Sequence, residues 1–331
     1  MRKMKIDIPY YEDHSRINNS SIGIFLSKGP RALKDILDGK SESLKLPQLE
    51  RGTMIHEYIL QPDEFWKDYI ILDYEVPKVK QQKDFCEAYA SSLELLEDDK
   101  LLKAYRSSYN NTKSSEIALN EARELFNKYS KYIEALKANN QQKKAISFAD
   151  YTMLEKIKKN LEEHQAANKL LFDVPTTYEC HNEFHINWEA TNGLEKPVSC
   201  KSLLDRLMID NTNKKIILID LKTTNNVYNF KHSVEEFEYY RQLSFYIFAI
   251  AWYMQEELNL NVDDYDLEVY IIAIQTNGSY EVRVFNMFNE EELLNSRDII
   301  TNALKEISYH ISSNNWEHTR NYYENNGIEE L

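Results

Sequence analysis

The chain has 331 residues, of which 42% are hydrophobic and 12% aromatic, enough for one large domain or two small ones. Its formal net charge of −14 argues against a protein that coats nucleic acid non-specifically, but it is compatible with an enzyme that grips nucleic acid in one groove. Only seven glycines are present, so glycine-rich phosphate loops and the nucleotide-binding folds built on them are not expected.

Two further features bear on location and redox state. No stretch approaches the roughly 20 apolar residues of a membrane span, and the start "MRKMKIDIPYYEDHSR" lacks the apolar core of a signal peptide. We therefore expect a cytoplasmic protein with no membrane partner. The three scattered cysteines, Cys86, Cys180 and Cys200, cannot alone form a disulfide framework or a four-thiolate metal site, and we expect them to be reduced core residues.

The first predicted helix lies in "NNSSIGIFLSKGPRALKDILDG". Asn19, Ser20 or Ser21 can cap it, and Gly29-Pro30 breaks or redirects it. A second helix is predicted in "LERGTMIHEYIL" from the spacing of its apolar residues. The buried face of that second helix is expected to contain Met54, Ile55, Tyr58 and Ile59, with His56 near it.

Residues 81–171 are charged, poor in glycine and proline, and without a strand signal, which predicts a helical insertion or arm. Lysines cluster in its run "NNQQKKAISFADYTMLEKIKK". This run is either a solvated helix face or a contact to the DNA backbone, and the pattern favours the solvated face.

The hydrophobic period changes to two after Thr176, which predicts strands. His181 and His185 resemble a metal-binding pair, but on one strand they would be about 13 Å apart, too far to share an ion. The alternation in "TYECHNEFHINWE" places Tyr178, Cys180, Phe184, Ile186 and Trp188 on one face, and Glu179, His181, Glu183 and His185 on the other.

Two hairpins and two helices complete the pattern. "SCKSLLDRLMIDNTNKKIILIDLKTT" predicts a hairpin, followed by one long helix in "VEEFEYYRQLSFYIFAIAWYMQEEL". A second hairpin turns at Asn277-Gly278, and a last helix begins at Asn289 with Glu292 placed for a capping box. The predicted fold is α/β (α+β), a mixed sheet core at 176–288 flanked by helices within a single domain, 1–331.

The first hairpin suggests a charged site. With its turn centred between Thr212 and Asn213, Asp205 and Asp220 face each other across the strands, with Cβ atoms about 4.5–5.5 Å apart. Opposed like charges destabilise a sheet, so a cation is expected between them. That cation is either Lys222, on the same face as Asp220, or a divalent metal.

A metal at this position suggests a reaction. Mg²⁺ or Mn²⁺ suits two carboxylates, with the Leu221 carbonyl, waters and a substrate phosphate oxygen as further ligands. The Lys222 ammonium could then orient water and stabilise charge on a phosphoryl group, giving metal-assisted phosphodiester hydrolysis. The alternative is a salt-bridged cluster across the strands with no catalytic role.

An ordered set of motifs resembles the PD-(D/E)XK nuclease superfamily, specifically the branch of exodeoxyribonuclease VIII (RecE) and the RecB nuclease domain. The set includes a glycine and a histidine four residues apart, and it covers most of the chain except the helical middle and the last few dozen residues. Leu204 replaces the proline of the family's Pro-Asp pair, a departure common in this branch. The motifs are "NNSSIGIFLSKGP", "RGTMIHEYILQPDEF", "EFHINWEATNG", "CKSLLDRL", "IDLKTT" and "YYRQLSFY".

The resemblance implies a restriction-endonuclease-like fold and a role for each matched residue. His56, Asp205 and Asp220 are implied as metal ligands, and Lys222 as the catalytic lysine. Gln242 and Tyr246, four residues apart on one helix face, are implied to contact nucleic acid beside the site. The less favoured alternative for Tyr246 is a core aromatic. Lys201, Thr223 and Thr224 are lower-grade candidates for phosphate contacts. The cysteine cluster of iron–sulfur relatives is absent, so no such cofactor is expected.

The function implied is a metal-dependent exonuclease that resects linear duplex DNA for recombination in a bacterial cell, encoded by the bacterium or a phage. Implied partners are DNA ends and a single-strand annealing protein, and a ring-shaped homo-oligomer would suit processive digestion. Two alternatives stay open: an inactive nuclease fold that binds DNA or assembles with other proteins, and an endonuclease or RNA-directed nuclease of the same fold.

Overall fold

The structure is a computed structural model that describes residues 9–40, 47–72, 74–92, 96–109, 113–137 and 144–328. The chain divides into two compact units. The first combines Met1–His56 with Lys159–Leu331, and the second is Glu57–Lys158. The second unit therefore begins and ends earlier in the chain than the predicted insertion at 81–171.

Helices and strands follow one another along the chain in the order expected for an insertion within a mixed α/β protein. The helices are α1 (Asn19–Leu37), α2 (Pro47–Leu60), α3 (Pro62–Asp68), α4 (Lys80–Ser91), α5 (Glu97–Tyr109), α6 (Ser115–Lys137), α7 (Phe148–Glu163), α8 (Gln165–Leu171), α9 (Phe230–Glu236), α10 (Tyr239–Trp252), α11 (Glu290–Ser313) and α12 (Arg320–Glu324). The strands are β1 (Tyr69–Leu72), β2 (Lys144–Ser147), β3 (Glu179–Ala190), β4 (Val198–Asp210), β5 (Lys215–Thr224), β6 (Asp266–Gln275) and β7 (Val282–Asn286).

The N-cap of helix α1 is Asn18, one residue before the earliest of the three predicted caps. The side chain of Asn18 accepts a hydrogen bond from the Ser21 backbone, and the Ser21 hydroxyl accepts one from the Asn18 backbone, which is a complete capping box. The predicted break is present, because Gly29 has a φ of 81° that favours glycine. In α2 the four predicted core residues are all buried.

The second unit is helical with one exception. Helices α4, α5 and α6 enclose a core that includes Phe85, Tyr89 and Tyr105. The strands β1 and β2 pair in parallel. Of the two, β2 lies within residues 81–171, where no strand was predicted. A run of four residues is too short for its period to distinguish a strand from a helix. Part of the lysine-rich run, residues 139–143, lies outside the described residues.

The sheet of the first unit has the order β3-β4-β5-β6-β7. Neighbouring strands are antiparallel except β5 and β6, which are parallel and joined through α9 and α10. The predicted mixed sheet with flanking helices is therefore confirmed. Its core packs α10 on β3 and β4, where Trp188 meets Phe245 with ring centroids 5.0 Å apart.

The predicted long helix after β5 is two helices. Glu238 has a φ of 51°, and this left-handed residue separates α9 from α10. Both predicted hairpins are present, with Gly278 at a φ of 60° in the second. Helix α11 begins after Asn289 as predicted, and the Asn289 side chain accepts a hydrogen bond from the Glu292 backbone, which is one half of the predicted capping box.

The cysteine prediction is correct for two of three residues. Cys86 and Cys200 are buried, whereas Cys180 is exposed because it lies near the start of the edge strand β3. Within the described ranges, no helix combines the length and apolarity that crossing a membrane requires. Residues 1–8 of the quoted start lie outside those ranges.

Asp210 organises the turn between β4 and β5. Its carboxylate accepts hydrogen bonds from the Thr177 hydroxyl, the Asn213 side chain, and the backbone of Thr212 and Asn213, at 2.6–2.9 Å. These donors, led by Thr177 and the Asn213 side chain, lower the pKa of Asp210 from 3.8 to about 2. The ionised carboxylate therefore stabilises the fold above the ordinary pKa, and that stabilisation is lost as the pH falls through about 2.

We expect Asp210→Asn to lower the melting temperature at pH 7, because the amide nitrogen cannot accept the two side-chain hydrogen bonds made to Oδ2. The deficit should shrink as the pH falls from about 4 to about 2, since the wild type loses the same stabilisation on protonation. Thermal unfolding followed by circular dichroism at stepped pH measures both. A deficit that stays constant down to pH 2 would contradict this role of the carboxylate.

Candidate metal centre and active site

The hairpin of β4 and β5 brings Asp205 and Asp220 together. Its pairs run from Arg206 with Ile219 to Asp210 with Lys215, and the same register carried one residue further sets Asp205 opposite Asp220. The Leu221 backbone N–H donates to Asp205 Oδ2 at 2.6 Å. The predicted register is therefore correct, and both carboxylates are almost completely buried.

Asp220 is a buried carboxylate that lacks normal hydrogen bonds. The Lys222 ammonium forms an ion pair with its Oδ2 at 2.5 Å, but neither Asp220 oxygen accepts a hydrogen bond of regular geometry from the described residues. Burial raises the pKa of Asp220 to about 6, the Lys222 charge opposes that rise, and Asp205 adds to it. A second cation near Asp220 would therefore be favourable.

His56 approaches the carboxylates from α2. Its Nδ1 lies 3.6 Å from Asp205 Oδ2. Burial, the largest single influence, acts to lower the pKa of His56, but the charge and hydrogen bond of Asp205, together with the charge of Glu183, raise it overall. The pKa of Asp205 shows the reciprocal effect: burial acts to raise it, and His56, Lys222 and the Leu221 N–H together lower it.

Glu183 is a member of the site that the sequence analysis did not identify. Its carboxylate lies 3.9 Å from His56 Nδ1. On β3 the neighbouring pairs are Asn182 with Arg206 and Phe184 with Leu204, so Glu183 falls opposite Asp205. Together, Glu183, Asp205 and Asp220 occupy one level across three adjacent strands.

The backbone of Glu183 explains how its side chain is oriented. Its φ of 47° is left-handed, which interrupts the regular alternation of β3. As a result His181 and Phe184, three residues apart, stack with ring centroids 4.5 Å apart, although a regular strand would put them on opposite faces. The predicted unbroken alternation of β3 is therefore wrong at this point.

The side chains present can hold a metal ion. Ligand atoms of His56, Glu183 and Asp205 all lie within 4.8 Å of one another, and the unsatisfied Asp220 oxygens are beside them. Carboxylate oxygens with one imidazole are suitable donors for Mn²⁺ or Mg²⁺. Among the described residues, His181 and His185 are not part of this cluster.

A close backbone approach sets the position of α2. A Cβ atom added at Gly52 would lie 3.3 Å from the Thr223 hydroxyl at the end of β5. Because His56 follows Gly52 by about one helical turn, this contact fixes how near the imidazole comes to the strand. The glycine and histidine of the second motif thus act together in the structure.

Gln242 and Tyr246 share one face of α10, as helix geometry predicts, and their contact with nucleic acid stays a prediction. Gln242 Nε2 donates to the Tyr246 hydroxyl at 2.8 Å. Tyr246 is 8% exposed, and its pKa is raised far above 10, first by burial and then by Asp220 and Asp205. Tyr246 is therefore both a core aromatic and a neighbour of the carboxylates.

The remaining candidates occupy different environments. Lys201 is buried, and its ammonium donates to the carbonyl oxygens of Tyr10 and Asp13, which gives no support to the predicted phosphate contact. Thr223 and Thr224 are partly exposed at the end of β5. Their phosphate contacts, and the Leu221 carbonyl as a ligand, stay predictions.

Comparison with known proteins gives weak likenesses. No family model and no curated protein sequence matches the chain. A crystal structure of a candidate exonuclease from Eubacterium rectale has a TM-score of 0.49 and 11% identity, over 99% of this chain and 96% of that one. The crystal structure of SSO0001 has a TM-score of 0.24 and 13% identity, over 67% of this chain and 83% of that one.

We expect Mn²⁺ to stabilise the wild type by about 3 kcal/mol at a concentration roughly 100 times its Kd, because the ion binds only the folded carboxylate cluster. Asp205→Asn should lose most of this stabilisation. Asp266→Asn, which neutralises an exposed aspartate at the start of β6, is the control and should keep it. Thermal unfolding with Mn²⁺ or EDTA measures the effect, and equal stabilisation of all three proteins would argue against this metal centre.

We expect Gly52→Val to weaken Mn²⁺ binding and to cost about 1–3 kcal/mol of stability, because a branched side chain collides with Thr223 and displaces α2. Adding Thr223→Ala removes the colliding hydroxyl and should restore part of both losses. Mn²⁺ titrations of the single and double variants test this, and a Gly52→Val protein with wild-type affinity would contradict it.

Proposed function

We propose that this protein is a metal-dependent deoxyribonuclease of the PD-(D/E)XK type, an exonuclease that hydrolyses phosphodiester bonds from the ends of linear duplex DNA. The observation that carries the proposal is the convergence of His56, Glu183 and Asp205 beside the ion pair of buried Asp220 with partly exposed Lys222. Carboxylates, an imidazole and an ammonium at one point suit a phosphodiester, whose charge increases during attack.

The side chains of the site have two separate roles in this proposal, metal binding and stabilisation of the phosphoryl charge. His56, Glu183, Asp205 and Asp220 would hold Mg²⁺ or Mn²⁺, which would supply Lewis acidity toward a phosphate oxygen. Lys222 keeps its proton, because the neighbouring carboxylates of Asp220 and Asp205 outweigh burial and raise its pKa. Its ammonium can therefore donate a hydrogen bond to the phosphoryl group.

The buried Asp220 also bears on the alternative of an inactive DNA-binding protein. A buried carboxylate without regular hydrogen-bond donors costs free energy. A protein that only bound DNA would gain stability from an apolar residue at this position. The observed pair of buried aspartates therefore favours a working metal site.

The test is digestion of end-labelled linear duplex DNA and of covalently closed circular DNA, with Mg²⁺ or EDTA. We expect metal-dependent loss of the linear DNA alone, and a fall in rate of at least about 100-fold in Lys222→Ala, because the lysine acts on the developing charge. Lys215→Ala is the matched control, since Lys215 begins the same strand and forms only a half-exposed pair with Glu268.

Each other outcome has a distinct meaning. Cleavage of the closed circle would identify an endonuclease of the same fold. Binding of DNA without cleavage, under every metal condition, would support the inactive binding protein. Equal rates for wild type and Lys222→Ala would remove the active site from the position assigned to it.

A further inference from the structure

The aromatic ring of Tyr239 lies over the Lys222 ammonium. Lys222 Nζ is 5.1 Å from the ring centroid, inside the range of about 6 Å at which an aromatic face attracts a cation. Tyr239 is the first residue of α10 and packs beside Phe230, with ring centroids 5.8 Å apart. The ammonium is thus contacted by Asp220 from its own strand and by a ring from a helix.

We propose that Tyr239 is a positioning residue that holds the Lys222 ammonium in place through its ring face, an inference that rests on the proposed nuclease function. The side chain of lysine is long and flexible. Asp220 restrains it only while that carboxylate is not engaged elsewhere, and a bound metal draws on the same carboxylate. A ring face does not compete for a metal ligand, so its hold on the ammonium persists when the metal is bound.

Arg241 holds the residue before Tyr239 in place through hydrogen bonds and an ion pair. Glu238, in its left-handed conformation, accepts two contacts from Arg241, at 2.9 Å from Nε and 2.6 Å from Nη2. Arg241 is 7% exposed and also donates from Nη1 to the Asn19 carbonyl at 2.8 Å. A Cβ added at Gly23 would lie 2.8 Å from the Arg241 guanidinium. The α1 backbone therefore restrains the Arg241 guanidinium, and Arg241 in turn restrains Glu238, the residue before Tyr239.

The experiment compares Tyr239→Phe, which keeps the ring, with Tyr239→Leu, which removes it. Tyr265→Leu is the matched control, because Tyr265 covers the Lys214 ammonium at 4.6 Å near the other end of β5. Each variant is first measured by thermal unfolding with and without Mn²⁺. Wild-type stabilisation by Mn²⁺ verifies that the fold and the carboxylate cluster are intact.

Two measurements test the positioning role of Tyr239, and the first does not depend on catalysis. Acetylation of Lys222 by an amine-reactive ester, followed by mass spectrometry, should be several-fold faster in Tyr239→Leu than in wild type or Tyr239→Phe, since the ammonium is released from the ring. On linear DNA, Tyr239→Leu should lower kcat about tenfold with little change in KM. Tyr239→Phe and Tyr265→Leu should keep wild-type values.

The two proposals fail separately. Unchanged acetylation of Lys222 in Tyr239→Leu overturns the positioning role, whether or not the protein cuts DNA. Unchanged kcat of Tyr239→Leu in an active protein also overturns it and leaves the nuclease function standing. A wild type that cuts no DNA, combined with faster Lys222 acetylation in Tyr239→Leu, overturns the nuclease function and leaves the contact between ring and ammonium established.

Discussion

Mutual repulsion among clustered carboxylates is the constraint around which this site is arranged. Glu183, Asp205 and Asp220 lie at one level of three adjacent strands. Asp205 and Asp220 are buried and Glu183 is partly buried, so water screens their charges poorly. Lys222, paired with Asp220, and His56, beside Asp205, provide positive charge that offsets part of this repulsion. The compensation is incomplete, because the Asp220 oxygens have no regular hydrogen-bond donor among the described residues. A divalent cation would complete it.

Asp210 and Asp220, at opposite ends of the β4–β5 hairpin, show how hydrogen-bond donors decide whether a carboxylate stabilises the fold. Asp210 has four donors in its turn, and its pKa falls to about 2. Asp220 is buried without such donors, and its pKa rises to about 6. The same residue type thus stabilises the fold at one end and costs stability at the other. A strained or unsatisfied group of this kind is typical of a functional site rather than of a structural one.

The elements around the carboxylates each contribute one geometric condition. The hairpin register places Asp205 and Asp220 opposite each other. The left-handed backbone of Glu183 directs a third carboxylate toward them. Helix α2 approaches closely at Gly52 and presents His56. Helix α10 brings Tyr239 over Lys222 and Tyr246 beside the aspartates. Because these conditions come from separate parts of the chain, the site exists only when the whole unit is folded.

The sequence by itself determined the mixed sheet, both hairpins and the opposition of Asp205 and Asp220, because strand period, turn residues and hairpin register are local properties. It also indicated the shared face of Gln242 and Tyr246, which follows from helix geometry. Only the tertiary structure decided that Glu183 joins the site, that α9 and α10 separate at Glu238, and that Tyr239 covers Lys222. These features depend on left-handed backbone at non-glycine residues and on packing between distant segments. Neither leaves a periodic signal in the sequence, since each is imposed by the contacts that the completed fold makes.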